Sequence, residues 1–371
     1  MNIFRIVGAR PNFMKVAPVV NALKGRENVV QTLAHTGQHY DVNMSDVFFQ
    51  QLGIPAPNVN LAVGSGTHAK QTAEIMIRLE PVMLERQPDI VFVYGDVNST
   101  VATVLVCAKL GVPVGHVEAG LRSFDRTMPE EINRLVTDQL ADFLFTPSED
   151  GDENLRREGI SAEKIFRVGN VMIDSLVRLL PSAQKTRIDG LPERYALVTL
   201  HRPSNVDDGV TLKGILESLL EVNRDLTVVF PAHPRTRKRI ADFGLNAGQL
   251  HVLDPLPYVD FLGLQSPATV VITDSGGIQE ETTYLGVPCL TVRENTERPI
   301  TVSMRTNVLV GRSGKAAHGI VASARWKSKE RSSATPLGWT RRETYRGRSG
   351  WATFTNECRD LNLYRDPRVS G

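Results

Sequence analysis

The sequence lacks the features that mark several classes of protein. Its three cysteines, Cys107, Cys289 and Cys358, are an odd number and lie far apart, so they indicate neither a disulfide framework nor a zinc site. It has no apolar run of membrane-spanning length and no signal-peptide pattern before its first strand. Its net charge is only +2, which argues against a dedicated nucleic-acid binder. These absences favour a cytoplasmic location.

The common cofactor fingerprints are also missing. The turn after the first strand, Gly8-Ala-Arg-Pro11, lacks the second glycine of a dinucleotide-binding motif and has the bulky Arg10 there. The stretch Val63-Gly-Ser-Gly-Thr67 lacks the Gly-Lys-Ser/Thr ending of a phosphate-binding loop. No histidine and cysteine spacing suits a metal ion. We therefore expect neither NAD, nor a metal, nor another cofactor.

Short β-rich segments alternate with helical segments in two series. The first series has strands at 3–7, 29–36, 90–94, 112–117 and 143–146 and helices at 13–23, 69–85, 99–110 and 131–140. The second has strands at 196–199, 227–230, 251–253, 270–273 and 289–292 and a helix at 212–222. This alternation predicts an α/β protein with two doubly wound, Rossmann-like domains, 1–180 and 181–311, that place a ligand in the cleft between them.

The strand at 270–273 is followed by a turn suited to phosphate. Its residues are β-branched, Ser275 suits a helix N-cap, and Gly276 lets the backbone approach a ligand closely. The N-terminus of the following helix favours an anion, and Glu281 one turn later can accept hydrogen bonds from sugar hydroxyls. The junction therefore predicts a sugar-nucleotide site, although an ordinary strand-to-helix turn has the same pattern.

Charged residues recur where the predicted strands end. They are Arg10, Lys15, Asp96, Glu118, Glu130, His201, His233 and Arg298. Asp96 and Glu130 also suit helix caps, and the two histidines also suit structural roles. Glu118 is harder to explain structurally, because an unpaired carboxylate at the end of an apolar strand is costly to bury.

With these residues assembled, the sequence resembles the non-hydrolysing UDP-N-acetylglucosamine 2-epimerases from residue 1 to about residue 311. The motifs are Gly8-Ala-Arg-Pro11, Thr36-Gly-Gln-His39, Gly95-Asp96, His116-Val-Glu-Ala-Gly-Leu-Arg122, Pro129-Glu-Glu-Ile-Asn-Arg134, Asp274-Ser-Gly-Gly-Ile-Gln-Glu-Glu281, Glu297-Arg-Pro299 and Asn307-Val-Leu-Val-Gly311. The resemblance implies a GT-B-like fold and epimerisation at C2 through elimination of UDP and its re-addition to a glycal.

The resemblance also implies roles for individual residues. The catalytic residues would be Asp96, Glu118, Glu130 and His201. The substrate-binding residues would be Arg10, Lys15, Arg134, His233, Phe261, Ser275, Gly276, Glu281 and Arg298. Among them, Phe261 would stack on the uracil ring and Glu281 would contact the ribose. Which carboxylate acts as acid and which as base stays open.

Bacterial relatives carry a regulatory pocket for a second substrate molecule, and this pocket is only partly matched. Gln38, His39, Lys70 and Gln71 resemble it. Asp41 stands where a glutamine is usual, and Lys70 where an arginine is usual. Activation by substrate is therefore an open question.

Two features near the end of the chain depart from the family pattern. Arg305 replaces a common glycine, and it would be strained if that position needs a positive φ. The tail 312–371 is rich in Arg, Ser, Gly and Trp and has no helical periodicity. Thr335-Pro-Leu-Gly-Trp339 is what codons for the family's Pro-Leu-Trp-Asp-Gly give when read one base out, so we hypothesise a frame shift, with a divergent extension as the alternative. The DNA sequence tests this.

Other activities fit the same motifs. A relative acting on a UDP-diacetamido uronic acid would share the chemistry, and a hydrolysing variant would release the sugar. A GT-B glycosyltransferase would need an acceptor, and a non-catalytic UDP-sugar binder would not turn over. The resemblance further implies a UDP-sugar partner, a homodimer and a role in polysaccharide precursor synthesis.

Overall fold

The computed structural model describes residues 1–37, 51–185, 188 and 190–311, and of Arg10 only the backbone. The predictions for Gln38, His39, Asp41 and the tail 312–371 therefore lie outside the described residues. The described residues form two compact units. Met1–Gly120 and Arg126–Ser175 belong to the first unit, and Leu121–Asp125 and the residues from Leu176 onward belong to the second.

The first unit contains a seven-stranded sheet in which every pairing is parallel. Its strands are β1 (Asn2–Val7), β2 (Val30–His35), β3 (Val59–Asn60), β4 (Ile90–Tyr94), β5 (Val114–Val117), β6 (Phe143–Thr146) and β7 (Ile165–Arg167), in the order β3-β2-β1-β4-β5-β6-β7. The strands β2 and β3 lie on one side of β1, and β4 to β7 lie on its other side, so the strand order changes direction between β1 and β4. In open α/β sheets such a switch point is where ligands bind, outside the carboxyl ends of the strands.

Helices connect these strands. They are α1 (Arg10–Ala22), α2 (His68–Arg86), α3 (Asn98–Leu110), α4 (Pro129–Leu140) and α5 (Glu149–Arg157), with a 3₁₀ turn at Ala162–Lys164. Helix α6 (Val171–Ala183) follows β7 and continues past Ser175, where the first unit ends. α2 begins where the Thr67 hydroxyl accepts a hydrogen bond from Lys70 N–H, and α3 ends at the left-handed Gly111. Helix α2 packs its apolar face, including Ile75 and Leu79, on the strands.

The second unit contains a six-stranded parallel sheet with the corresponding order, β10-β9-β8-β11-β12-β13. Its strands are β8 (Ala196–Thr199), β9 (Val228–Pro231), β10 (His251–Leu253), β11 (Val270–Thr273), β12 (Cys289–Thr291) and β13 (Asn307–Leu309). Its helices are α7 (Pro203–Val206), α8 (Gly209–Val222), α9 (Pro234–Asp242), α10 (Tyr258–Gln265), α11 (Gly276–Leu285) and α12 (Pro299–Ser303). The switch point lies between β8 and β11.

The predicted α/β class with two doubly wound sheets is confirmed. The strand interiors are apolar on both faces because helices cover both sides of each sheet, as in the buried run Ile90–Tyr94. Helix α1 begins three residues before its predicted start, since Pro11 is well accommodated in a first turn. Both sheets therefore present the loops that carry the charged residues at their carboxyl edges.

The backbone at Arg305 has the positive φ that the sequence comparison anticipated, at +60°. A residue other than glycine in the left-handed region destabilises the folded state by about 1–2 kcal/mol. Glycine removes this strain, but its greater conformational entropy in the unfolded chain cancels part of the stabilisation. We expect Arg305→Gly to raise the free energy of unfolding by about 0.5–1 kcal/mol. The exposed side chain contributes little that would be lost.

Urea unfolding measures this difference, and the neighbouring Met304 is the matched control. Its φ is −77°, so Met304→Gly should lower the free energy of unfolding. If both glycine variants are destabilised alike, Arg305 is not strained.

Candidate functional site

In the first unit, Glu118 directly follows β5 and has an unusual backbone. Its φ is +75°, a value that residues other than glycine rarely adopt, and its side chain is buried. The backbone N–H groups of Glu118 and Ala119 both donate to the carbonyl of Phe145 at 3.0 Å, which fixes the turn. From α1, Lys15 Nζ forms an ion pair with the Glu118 carboxylate. Gly95 has a φ of +63°, and a Cβ on it would overlap that ammonium, so the loop after β4 favours glycine there.

Asp96 lies beside Gly95 and is held by α4. Arg134 Nη1 donates to Asp96 Oδ2, and the Asn133 side chain donates to the Asp96 backbone carbonyl at 2.8 Å. On its other side, Arg134 donates from Nε (3.1 Å) and Nη2 (2.6 Å) to Glu131 Oε2. The Asp96 side chain keeps 31% of its surface exposed, whereas Arg134 and Glu131 are buried. Asp96 is thus the member of this cluster with access to a ligand.

Two other polar residues of this edge have different environments. Glu130, in the first turn of α4, is half-buried. His116 is fully buried with Nδ1 at 2.6 Å from Asp138 and Nε2 at 2.9 Å from the Gly95 carbonyl. Since both of its ring nitrogens are hydrogen-bonded within the fold, His116 supports the loop that carries Asp96.

Of the residues predicted to bind a second substrate molecule, two are described. Gln71 is buried, donates to the Gly64 carbonyl at 2.9 Å and accepts from Asn98 Nδ2 at 2.7 Å. Lys70 is exposed in the first turn of α2. The structure therefore leaves the regulatory pocket a prediction, as it does the role of the Arg10 side chain.

In the second unit, the predicted phosphate turn lies at the carboxyl end of β11. Ser275 occupies the N-cap position of α11, and its backbone N–H donates to Thr273 Oγ1 at 3.0 Å. Its hydroxyl does not cap the helix in the described structure. A Cβ on Gly276 would overlap Glu297 Oε1, so a side chain at this position would have to displace that carboxylate.

Next to this turn, His201 is oriented by Asp274. The imidazole Nδ1 lies 2.9 Å from Asp274 Oδ1, and Asp274 also accepts the backbone N–H groups of His201 and Arg202. Burial alone would raise the pKa of Asp274, but these hydrogen bonds lower it below its ordinary value. An ionised Asp274 on Nδ1 fixes the ring and directs Nε2 away from it. The exposed His233 has its ring 6.2 Å from that of His201.

Glu281 is buried in α11, where the Tyr258 hydroxyl donates to its Oε1 at 2.8 Å. Burial raises the pKa of Glu281 to about 7, although the hydrogen bond from Tyr258 opposes the change. Phe261, one turn along α10 from Tyr258, is half-buried against the apolar core of this unit. A carboxyl group whose pKa is raised to about 7 is therefore hydrogen-bonded to the hydroxyl of Tyr258.

Arginines surround the start of α11. Arg293 lies 2.7 Å and Arg202 3.5 Å from the Glu297 carboxylate, and Arg298 lies 2.8 Å from Glu280. Burial would raise the pKa of Glu297, but the arginines Arg293, Arg202 and Arg298 lower it to about 2. Each of these arginines is paired with a carboxylate, and their guanidinium groups lie near the N-terminus of α11.

The effect of a side chain at position 276 can be tested. Gly276→Ala should weaken binding of UDP at least tenfold, because the new Cβ must displace the Glu297 carboxylate that Arg293 holds. Calorimetric titration with UDP measures the affinity. Gly214→Ala, at a helix position where a Cβ meets nothing within 4 Å, is the control and should bind UDP normally. Equal affinities for the two variants would remove Gly276 from the phosphate site.

Sequence reasoning missed the partners of these residues. Asp274 directly follows an apolar strand, as Glu118 does, and that shared pattern could have identified it. Tyr258 and Glu131 carry no comparable local signal.

Among the residues that the structure describes, no three His, Cys, Asp or Glu side chains are grouped so as to hold a metal ion. In that same portion, no helix has both the length and the apolar character needed to cross a bilayer.

The sequence of this chain is similar to those of known epimerases. The sequence model of the family described as UDP-N-acetylglucosamine 2-epimerase matches residues 21–338. A Methanocaldococcus jannaschii UDP-N-acetylglucosamine 2-epimerase is 44% identical over 328 residues, covering 84% of this chain and 88% of that protein. A Pseudomonas aeruginosa UDP-2,3-diacetamido-2,3-dideoxy-D-glucuronate 2-epimerase is also 44% identical over 328 residues, covering 88% of this chain and 92% of that protein.

A solved structure shows the same fold. The crystal structure of the M. jannaschii UDP-GlcNAc 2-epimerase in complex with UDP-GlcNAc and UDP superposes with a TM-score of 0.87 at 41% identity. The match covers 96% of this chain and 99% of that one. The extent of the family match and the identity to these relatives lead to one conclusion: this chain belongs to the UDP-N-acetylglucosamine 2-epimerase family.

Proposed function

We propose that the protein is a UDP-N-acetylglucosamine 2-epimerase that interconverts UDP-N-acetylglucosamine and UDP-N-acetylmannosamine. The observation that carries the proposal is the pair of carboxylates, Asp96 and Glu118, that follow adjacent strands of the first sheet in a chain of this family. Both lie at the carboxyl edge of the sheet, where α/β proteins bind their ligands.

The reaction proceeds by elimination, because the C2 hydrogen of the sugar has no neighbouring carbonyl to acidify it. A carboxylate removes the C2 proton as the C1–O bond breaks, which gives an unsaturated glycal and UDP. The UDP oxygen then re-forms the bond to C1, while a carboxylic acid returns a proton to the opposite face of C2. Two faces need more than one acid/base group, and Asp96, Glu118 and Glu130 supply them. No redox step occurs.

In this mechanism His201 stabilises the departing diphosphate. Its Nε2 offers a proton or a hydrogen bond, and Asp274 stabilises the positive ring through Nδ1. Lys15 and Arg134 form ion pairs with Glu118 and Asp96, so their contacts support a part in positioning those carboxylates as well as in binding phosphate.

The nucleotide is bound through residues of the second unit. Ser275, Gly276 and the N-terminus of α11 take the diphosphate, assisted by His233 and Arg298. Glu281 accepts hydrogen bonds from the ribose. Phe261 stacks on the uracil.

A UDP-diacetamido uronic acid is the second candidate substrate, since the P. aeruginosa enzyme for that sugar is as similar as the M. jannaschii one. Incubating the protein with each nucleotide sugar separately and following the anomeric proton by NMR distinguishes them. We expect a C2-inverted product from UDP-N-acetylglucosamine. Conversion of only the uronic acid nucleotide would identify that sugar as the substrate. Conversion of neither would refute the epimerase activity and would favour a UDP-sugar binder or a glycosyltransferase.

The assembly and location belong to the same proposal. We expect a homodimer, and exposed apolar residues on α2, Ile77 (66%) and Leu84 (59%), are compatible with self-association. Light scattering of the purified chain should give twice the monomer mass of 41.0 kDa. A cytoplasmic location and a role in supplying polysaccharide precursors follow from the proposed substrate.

A further inference from the structure

Neighbouring glutamates in α4 have different surroundings. Glu130 is half-buried, whereas Glu131 keeps only 2% of its surface exposed. The buried carboxylate of Glu131 receives two hydrogen bonds from one guanidinium, that of Arg134, three residues later in the helix. The third contact of that guanidinium, through Nη1, is with Asp96. The three side chains form one array that leads from a buried carboxylate to a partly exposed one.

We propose that Glu131 is a positioning residue, which acts through Arg134 on the acid/base group Asp96. This inference rests on the proposed epimerisation. Glu131 is not expected to contact the substrate, because it is buried behind the guanidinium that it holds.

The geometry supports this role. A free arginine side chain has many rotamers, so two hydrogen bonds to Glu131 restrict it to the one that points Nη1 at Asp96. Helix α4 also holds the Asp96 backbone carbonyl through Asn133. Both the carboxylate and the backbone of Asp96 are thus fixed by one rigid helix, as reaction at a defined C–H bond requires.

The charge arrangement supports it as well. Arg134 is buried at 3% exposure between two carboxylates, so its positive charge is shared. If the Glu131 charge were removed, the guanidinium would be attracted by Asp96 more strongly, and Asp96 would become a poorer base. Removing Glu131 should therefore affect the chemical step more than the binding of substrate.

The test compares four proteins: wild type, Glu131→Gln, Arg134→Gln and the double variant. Epimerisation kinetics are measured for each, and Glu153→Gln, an exposed partner of Arg157 on α5, is the control for loss of one carboxylate. We expect Glu131→Gln to lower kcat at least tenfold and to change KM less than threefold. In the Arg134→Gln background, Glu131→Gln should lower kcat little further, because the guanidinium that links Glu131 to Asp96 is already absent. Glu131→Asp, which restores the charge, should recover part of kcat.

Three outcomes would overturn the inference: an unchanged kcat for Glu131→Gln, a full independent loss in the Arg134→Gln background, or a loss confined to KM. If Glu131→Gln does not fold, Glu131→Asp decides, with a lowered kcat at constant KM in support and a wild-type kcat against. Failure of the wild type itself to epimerise would instead refute the proposed function.

Discussion

Replacing Asp96 by asparagine should lower the rate of hydrogen exchange at C2 by about 10²–10⁴-fold, the usual contribution of a general acid or base. The amide has nearly the shape of the carboxylate, and its oxygen can still accept the hydrogen bond from Arg134. It cannot remove or return a proton. The rate is measured by quenching the reaction at intervals and following C2 isotope content by mass spectrometry.

The same variant should bind UDP with nearly wild-type affinity, since the proposed nucleotide contacts are made by other residues. Glu153→Gln is the control, because Glu153 is an exposed carboxylate of the same unit paired with Arg157. Undiminished exchange in Asp96→Asn would remove Asp96 from the mechanism. A large loss in the control would show that charge alone, and not position, sets the rate.

Replacing Glu281 by glutamine should remove a strong dependence of stability on pH. The pKa of the Glu281 carboxyl is raised by burial from 4.5 to about 7, so the folded state holds the proton more tightly than the unfolded state. Its contribution to stability is therefore complete below pH 4.5 and is lost as the pH rises to about 7. The change in pKa from 4.5 to about 7 corresponds to about 3 kcal/mol in the free energy of unfolding.

Urea unfolding at pH 5, 6, 7 and 8 measures this effect. The free energy of unfolding of Glu281→Gln minus that of wild type should rise steadily from pH 5 to about pH 7 and then stay constant. Tyr258→Phe removes a hydrogen bond that lowers the pKa of Glu281, so in that variant the loss should continue above pH 7. Parallel curves for wild type and Glu281→Gln would show that Glu281 titrates normally.

The fold was largely predictable because its signals are local. The β-branched run Val270–Thr273 and the glycines after it marked a strand and a helix start, and both are observed. The short strands Val59–Asn60 and Ile165–Arg167 were not predicted, since two or three residues have too little periodicity to be recognised. The doubly wound arrangement followed from the alternation itself.

The sequence could place candidate site residues after strands, as with Asp96 after β4 and Glu118 after β5, but it could not give their contacts. Lys15 was expected to hold phosphate, yet it pairs with Glu118, 103 residues away. Asp274, which orients His201 across 73 residues, was noted only as part of a motif. In α4 the family resemblance singled out Glu130, but the burial of the neighbouring Glu131 depends on where α4 packs. Long-range pairing of this kind is set by tertiary structure, and a single sequence contains no local signal for it.

The most direct test of the central claim is deuterium incorporation from solvent. Wild-type protein incubated with UDP-N-acetylglucosamine in D2O should return both epimers of the nucleotide sugar with deuterium at C2, because a carboxylate removes the hydrogen and an acid returns one from solvent. Recovery of inverted product with hydrogen retained at C2 would contradict the elimination mechanism, and recovery of unchanged, unlabelled substrate would contradict the activity.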